Sequence, residues 1–205
     1  MVNTRLFLKC IIQMYYKASH RVTVNGLEKL PVSGPYIIAS NHISNHDPIL
    51  LGVFLNPTIK FMAKDELFRI PVLRSIVKKL NAFPVKRTGI GIGAIRYAIL
   101  LLKMGEVVGI FPEGTRNHNG RQLPWKPGVG FIATKAKFVP IVPIAICAQR
   151  AKLFRRFQII VGDPIIPFHS DYRLLAQDVM QMIQNLKSSV ELSSTSCIVG
   201  QESIQ

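Results

Sequence analysis

Two histidines, an aspartate and two asparagines lie within the seven-residue stretch NHISNHD at positions 41–47. An imidazole and a carboxylate can act as an acid–base pair, because the carboxylate fixes the tautomer of the ring and leaves its other nitrogen to take a proton. His42 and Asp47 are five residues apart, so a turn between strand and helix is needed to bring them together. Two other interpretations stay open: Asp47 before Pro48 is an ordinary helix N-cap, and the histidines are candidate metal ligands.

The rest of the chain offers little support for a metal or for a protein nucleophile. The other histidines, His20, His118 and His169, are scattered, and no cysteine lies near the motif or forms a CxxC pair. A structural or catalytic zinc needs a third and a fourth ligand at suitable spacing. No GxSxG stretch supplies an activated serine. We therefore predict no metal, and a His–Asp pair that activates a hydroxyl group of the substrate.

A second polar stretch, FPEGTRN at 111–117, follows the buried run EVVGI. Gly114 allows a ligand to approach the backbone, Thr115 offers a hydroxyl, and Arg116 offers the planar fork that suits a phosphate. Glu113 would accept hydrogen bonds from substrate hydroxyls or hold Arg116 in place. Taken alone, the stretch is equally typical of a charged surface turn with an internal Glu–Arg pair.

A third stretch, TGIGIGA at 88–94, fits the glycine pattern of dinucleotide-binding turns. The preceding strand does not lead directly into it, and the chain lacks the repeated halves and the length of a dinucleotide domain. The glycines are therefore interpreted as a flexible entry to the following helix.

The elements that position these residues alternate between strands and helices. Short apolar runs bounded by turn residues predict buried strands, and apolar residues at helical spacing predict helices between them. His42 follows the strand PYIIAS directly, and Asp47 opens a helix over DPILLGVFL. The alternation predicts an α/β fold: a single domain with a mixed, largely buried sheet flanked by helices. Ligands bind at the carboxyl ends of strands in such sheets, where both polar stretches lie.

The chain begins with a stretch that predicts an amphipathic helix over 1–20, followed by the main domain over 21–188 and a flexible tail over 189–205. No small-residue cleavage site follows the helix, and no run reaches the roughly 18–20 apolar residues of a spanning helix. The helix either lies in a membrane interface or packs on the core. Its apolar side would hold Leu6, Cys10, Ile11 and Met14, with Arg5, Lys9 and Lys17 available to lipid head groups.

The composition is strongly basic, with 26 Lys and Arg against 11 Asp and Glu, a net charge of +15 and an isoelectric point near 10.1. Such a surface attracts nucleic acid, anionic lipid or an acidic carrier. The positive mean hydropathy and the lack of aromatic residues between the basic ones disfavour nucleic acid. A non-catalytic basic protein that binds anionic lipid would explain the charge, but it has no need of the His–Asp pair.

Four blocks of the sequence together resemble the glycerolipid acyltransferases. NHISNHD is similar to their N-H-x-S-x-x-D block, FPVKR to the second block, FPEGTR to the third and VPIVPIAI to the fourth, in the same order. The resemblance runs from about Arg21 to Asp163, and among these enzymes the chain looks like the bacterial 1-acylglycerol-3-phosphate acyltransferases. His46 and Lys86 depart from the common pattern, but neither is one of its core residues.

The resemblance implies transfer of an acyl group from acyl-CoA or acyl-acyl-carrier protein to the sn-2 hydroxyl of 1-acylglycerol-3-phosphate, which gives phosphatidic acid. Another lysolipid or glycerol-3-phosphate is the alternative acceptor. The implied partners are the lysophospholipid, the acyl donor and an anionic membrane surface, with no nucleic acid and no cofactor. The enzyme would be peripheral or monotopic at the cytoplasmic face of the cell membrane.

The resemblance also implies a role for each polar residue. His42 would be the general base and Asp47 would orient it, without an acyl-enzyme. The acceptor phosphate and the glycerol would be bound by Lys64, Arg87 and Arg116 and by Glu113, Gly114 and Thr115, respectively.

Overall fold

The structure is a computed structural model that describes residues 4–64, 83–85, 92–117, 124–150, 154–168 and 171–199. Within these ranges we number five α-helices and seven β-strands in chain order. The helices are α1 (Thr4–Ser19), α2 (Asp47–Phe54), α3 (Ile92–Lys103), α4 (Gly128–Lys135) and α5 (Tyr172–Val199). The strands are β1 (Arg21–Asn25), β2 (Ile37–Ser40), β3 (Ile59–Lys64), β4 (Phe83–Val85), β5 (Val107–Ile110), β6 (Ile141–Arg150) and β7 (Arg155–Val161).

The strands form one mixed sheet in the order β1-β7-β6-β2-β5-β3-β4. The five strands from β6 to β4 are parallel, whereas β7 is antiparallel to β6 and parallel to β1. The parallel strands therefore end together along one side of the sheet, which we call the carboxyl edge and which follows Ser40, Lys64, Val85 and Ile110. β2 lies between β5 and β6, so the residues after Ser40 stand near the middle of that edge. The predicted α/β fold with a mixed sheet is confirmed.

Helices cover both faces of the sheet, which explains why its central strands are almost continuously apolar. On one face, α3, α4 and α5 pack on a cluster that includes Ile37 and Ala39. On the other face, α1 and α2 pack on a cluster that includes Ile38. Successive residues of a strand point to opposite faces, so β2 is buried on both sides and its end is held rigidly.

The C-terminal helix is longer than the sequence indicates. α5 continues to Val199, so the first part of the predicted tail over 189–205 is helical. Residues 200–205 lie outside the described ranges, and the flexibility of the segment stays a prediction.

The first helix has an inner side bound to α2 and an exposed apolar side. Lys9 Nζ donates to the carbonyl of Leu55 at 2.7 Å, and Gln13 Nε2 donates to that of Val53 at 2.8 Å. The availability of Lys9 to lipid was thus predicted wrongly: Lys9 caps the C-terminal carbonyls of α2, and burial lowers its pKa. The exposed side carries Phe7, Ile11, Met14 and Tyr15, which we call the outer stripe. No helix of the described ranges is both long enough and apolar enough to span a membrane.

Candidate active site

The turn between β2 and α2 brings the predicted pair together. His42 Nδ1 lies 2.8 Å from Asp47 Oδ2, and the same oxygen accepts the backbone N–H groups of Ile43 at 2.6 Å and Ser44 at 2.7 Å. Because an ionised carboxylate can only accept, Nδ1 carries the hydrogen and Nε2 is the unprotonated nitrogen. Asp47 is fully buried, while the side chain of His42 keeps 18% of its exposure. Nε2 has no hydrogen-bond partner in the described part of the chain, so it is placed to act as a base.

The N-cap interpretation of Asp47 is wrong. The N-cap of α2 is His46, which makes no capping bond with its side chain, and Asp47 is the next residue. The carboxylate of Asp47 reaches back to the turn before the helix instead of forward to the amides of the first helical turn. Pro48 occupies the first turn, as the sequence indicates.

Stacked aromatic rings hold the imidazole in its plane. The ring of Phe111 stacks on His42 with centroids 4.1 Å apart and an interplanar angle of 19°. Phe61 lies parallel to Phe111 at 5.9 Å. Space for Phe61 comes from Gly109, where a Cβ atom would lie only 2.3 Å from the ring. The sequence did not single out Phe111 for this role, although it opens the FPEGTRN stretch.

The backbone on both sides of His42 is also fixed by neighbours. The buried amide of Asn41 donates to the carbonyl of Ile146 at 2.9 Å and accepts the N–H of the same residue at 2.8 Å. The N–H of Asn117 donates to the carbonyl of His42 at 2.6 Å, which ties the two polar stretches together. Asn41 acts as an added rung between β2 and β6, a role that sequence reasoning missed.

Glu113 and Arg116 point in different directions. Glu113 is buried and accepts a hydrogen bond from the backbone of His42, and its Oε2 has no partner among the residues that the structure describes. Burial raises the pKa of Glu113, opposed by the positive charge of Lys187. Arg116 is exposed, and its Nη1 donates to Asn45 Oδ1 at 3.0 Å. The ion pairs between described residues do not include Glu113 with Arg116, which disfavours the surface-turn interpretation.

Gly114 and Thr115 lie between them in an exposed loop. Gly114 adopts a φ of +66°, which L residues rarely adopt, and a Cβ atom here would lie 3.3 Å from Cε and 3.4 Å from Nζ of Lys126. The segment with Lys126 runs beside the loop, since the Lys126 N–H donates to Pro112 at 3.0 Å. Lys126 was not predicted, because nothing in its spacing separates it from the other basic residues.

The remaining predicted phosphate ligands are placed only in part. Lys64 is the last residue of β3 and the register partner of Val85, so its backbone stands at the carboxyl edge. Arg87 lies outside the described residues, as do the first two glycines of the TGIGIGA stretch. The phosphate contacts of Lys64 and Arg87 stay predictions.

The two histidines of the motif have different partners. His46 Nδ1 is hydrogen-bonded to Tyr16 Oη at 2.5 Å. Burial raises the pKa of Tyr16 to about 12, and burial together with Arg155 lowers the pKa of His46, so a neutral phenol donates to a neutral imidazole. Across the described ranges, no three His, Cys, Asp or Glu side chains come together as a metal-binding group. The absence of a metal stays a prediction.

The fold and sequence of the chain are similar to those of known lipid acyltransferases. A family model described as Acyltransferase matches residues 21–147. The chain is 35% identical to the 1-acyl-sn-glycerol-3-phosphate acyltransferase of Bacillus subtilis, over 83% of this chain and 90% of that protein. It is 35% identical to the human 1-acyl-sn-glycerol-3-phosphate acyltransferase alpha, over 76% of this chain and 56% of that one.

A solved structure is similar as well. The crystal structure of the 1-acyl-sn-glycerophosphate (LPA) acyltransferase from Thermotoga maritima superposes with a TM-score of 0.72 at 26% identity, over 92% of this chain and 84% of that one.

Proposed function

The chain belongs to the acyltransferase family, and on this premise we propose that it acylates the sn-2 hydroxyl of 1-acylglycerol-3-phosphate to give phosphatidic acid. The observation that carries the proposal is the His42–Asp47 pair at the carboxyl edge, with Nε2 unprotonated and solvent-accessible. Relatives named for this acylation match along most of the chain, and one of them does so along 90% of its own length.

The proposed reaction needs only a base and an activated donor. His42 Nε2 takes the proton of the acceptor hydroxyl, and the oxygen attacks the thioester carbonyl of acyl-CoA or acyl-acyl-carrier protein. The carbon–sulfur bond of the tetrahedral intermediate then breaks, and the imidazolium returns the proton to the leaving thiolate. The buried charge of Asp47 stabilises that imidazolium while it exists. The reaction as proposed uses neither an acyl-enzyme nor a metal nor an organic cofactor.

The acceptor would be held by the loop beside the base. Arg116 and Lys126 present positive charge on either side of Thr115, and Arg116 contacts the neutral amide of Asn45. We assign the acceptor phosphate to these two residues together with Lys64 and Arg87. The unpaired, buried Oε2 of Glu113 would accept a hydrogen bond from a glycerol hydroxyl, because a buried acceptor without a donor is costly.

The proposal is tested by incubating the purified protein with labelled acyl-CoA or acyl-acyl-carrier protein and a set of acceptors. The set contains 1-acylglycerol-3-phosphate, glycerol-3-phosphate, other lysophospholipids and monoacylglycerol. We expect phosphatidic acid as the main product, acylated at sn-2. Preferential acylation of another acceptor would contradict the assignment, and acylation of none would contradict the enzyme activity.

The Arg116→Ala variant is expected to raise the KM for 1-acylglycerol-3-phosphate by roughly 10- to 100-fold. A charge-assisted hydrogen bond contributes about 1.5–3 kcal/mol, and here it would be made to the acceptor phosphate. The KM for the acyl donor should change little. Steady-state kinetics with each substrate varied in turn gives both values, with Arg96→Ala as the control for loss of an exposed arginine. A rise in the donor KM alone would assign this loop to the donor.

We further propose that the outer stripe of α1 enters the membrane interface and places the protein at the cytoplasmic face as a peripheral or monotopic enzyme. Its four members recur at helical spacing and are 47–70% exposed. An apolar stripe of this size on a helix whose other side is already packed suits the boundary between head groups and acyl chains. The acceptor carries its hydroxyl at the same level of the bilayer.

Replacing Phe7, Ile11 and Met14 together by serine is expected to weaken vesicle binding at least tenfold, even at high salt. Burial of one large apolar side chain contributes about 1.5–3 kcal/mol, and that contribution is not screened by salt. Deletion of the helix would be a poorer test, because Tyr16 is buried and bound to His46. Co-sedimentation with vesicles measures the change. The matched control replaces the exposed Val32, Met104 and Phe138, which precede the amino ends of β2, β5 and β6; equal losses would disprove a specific role of the stripe.

A further inference from the structure

Three exposed arginines stand at one end of the β1–β7 strand pair: Arg21, Arg155 and Arg156, which we call the arginine end. Arg21 and Arg156 are register partners in the parallel pair, so their side chains leave the same face of the sheet next to each other. Arg155 points to the opposite face, where α1 packs. Like charges directly across a pair of strands are destabilising, and the fold gains nothing from this arrangement by itself.

No acidic side chain neutralises the arginine end in the described part of the chain. The ion pairs found there join Lys29 to Asp163, His42 to Asp47 and Lys60 to Glu106. Asp163 follows the far end of β7, which at about 3.3 Å per residue places it more than 20 Å from Arg156. The first acidic residue of the whole sequence is Glu28, which comes after the far end of β1. The strand pair is therefore basic at one end and acidic at the other.

The arginine end lies on the same side of the molecule as the catalytic pair. β6 runs parallel to β2 and continues beyond it, from the rung at Ile144 to Arg150, which is the register partner of Arg155. Two residues after Arg155, the ring of Phe157 lies 6.0 Å from that of His46 and 6.3 Å from that of Tyr16. The arginines thus project past the carboxyl edge, close to the last turn of α1.

We propose that Arg21, Arg155 and Arg156 bind the phosphate groups of an anionic bilayer and hold the carboxyl edge against it. The guanidinium fork suits phosphate oxygens, and neighbouring phosphates of lipids relieve the repulsion between Arg21 and Arg156. The outer stripe ends a few residues before Arg21, so apolar and basic surfaces adjoin as an interface requires. A bilayer is favoured over an acidic carrier protein for this reason. The inference rests on the proposed lipid acceptor, which lies in the same plane.

The test is binding of the full chain to vesicles of phosphatidylcholine with 30% phosphatidylglycerol, compared with pure phosphatidylcholine. A basic residue near an anionic surface strengthens binding about fivefold, so Arg21→Ser/Arg155→Ser/Arg156→Ser should bind the anionic vesicles roughly 100-fold more weakly. The matched control Arg96→Ser/Lys103→Ser/Lys135→Ser removes the same charge from exposed sites on α3 and α4 and should lose less than threefold. The difference should shrink at high salt.

Two results would overturn the inference. One is binding of the arginine variant that equals that of wild type, or that falls no further than that of the control, since net charge alone would then account for the effect. The other is unchanged vesicle binding with a raised KM for acyl-acyl-carrier protein, which would assign the surface to the carrier. Thermal unfolding of each single variant checks that the fold is kept.

Vesicle binding does not depend on catalysis, so failure of this inference is distinguishable from failure of the proposed function. Acylation of a short-chain, monomeric 1-acylglycerol-3-phosphate should be within twofold of wild type in the arginine variant. Loss of that activity would place the arginines in the acceptor site and contradict a role confined to the membrane.

Discussion

The His42→Ala variant is expected to lose acyl transfer almost completely, by roughly 10²–10⁴-fold or more, the range that a positioned general base contributes. Nδ1 is committed to Asp47 and Nε2 is exposed to the pocket, so no other described side chain is placed to take the proton of the acceptor. The imidazole is also stacked on Phe111, so alanine removes both the base and a packing contact.

A His42→Gln variant separates these two contributions. Glutamine keeps most of the volume and can donate to Asp47, but it cannot take a proton at neutral pH. Both variants are assayed for product formation under saturating substrates, and their thermal unfolding is compared with that of wild type. Well-folded protein of either kind with activity within a few-fold of wild type would refute His42 as the base.

The Asp47→Asn variant is expected to lose roughly 10²-fold or more in kcat, with smaller changes in either KM. The amide oxygen of asparagine can still accept from Ile43, Ser44 and His42, so the turn should keep its shape. What disappears is the negative charge that stabilises the imidazolium. The amide NH₂ would occupy the buried position of Oδ1, where the described residues offer no partner, at a cost of about 1–3 kcal/mol in unfolding free energy.

The Asp47→Ala variant is the matched comparison, because it removes both the charge and the acceptor of three hydrogen bonds. We expect it to be less stable than Asp47→Asn, since two buried backbone N–H groups lose their partner. Denaturant unfolding gives the stability of each variant, and single-turnover kinetics gives the chemical step. An active Asp47→Asn enzyme beside an unstable Asp47→Ala protein would restrict Asp47 to a structural role.

The sequence by itself determined the order of the elements and the identity of the catalytic pair. Apolar runs such as PYIIAS and EVVGI have few alternatives to buried strands, and their polar successors must then lie at the end of a parallel sheet. This reasoning placed His42, Asp47 and the loop with Glu113 and Arg116 at one edge without any knowledge of distances. Local periodicity carries that information, because it records which side of each element meets the core.

Contacts between residues far apart in the chain could be decided only by the tertiary structure. The stacking of Phe111 on His42, the rung made by Asn41, the nearness of Lys126 to Gly114 and the bond from Lys9 to α2 each depend on how the elements pack. The same holds for the arginine end, which forms only when β1 and β7 pair in a register that sets Arg21 beside Arg156. The direction of the Asp47 carboxylate was decided in the same way. A helix N-cap and a partner for an imidazole require the same residue at the same position, and only the path of the turn selects between them.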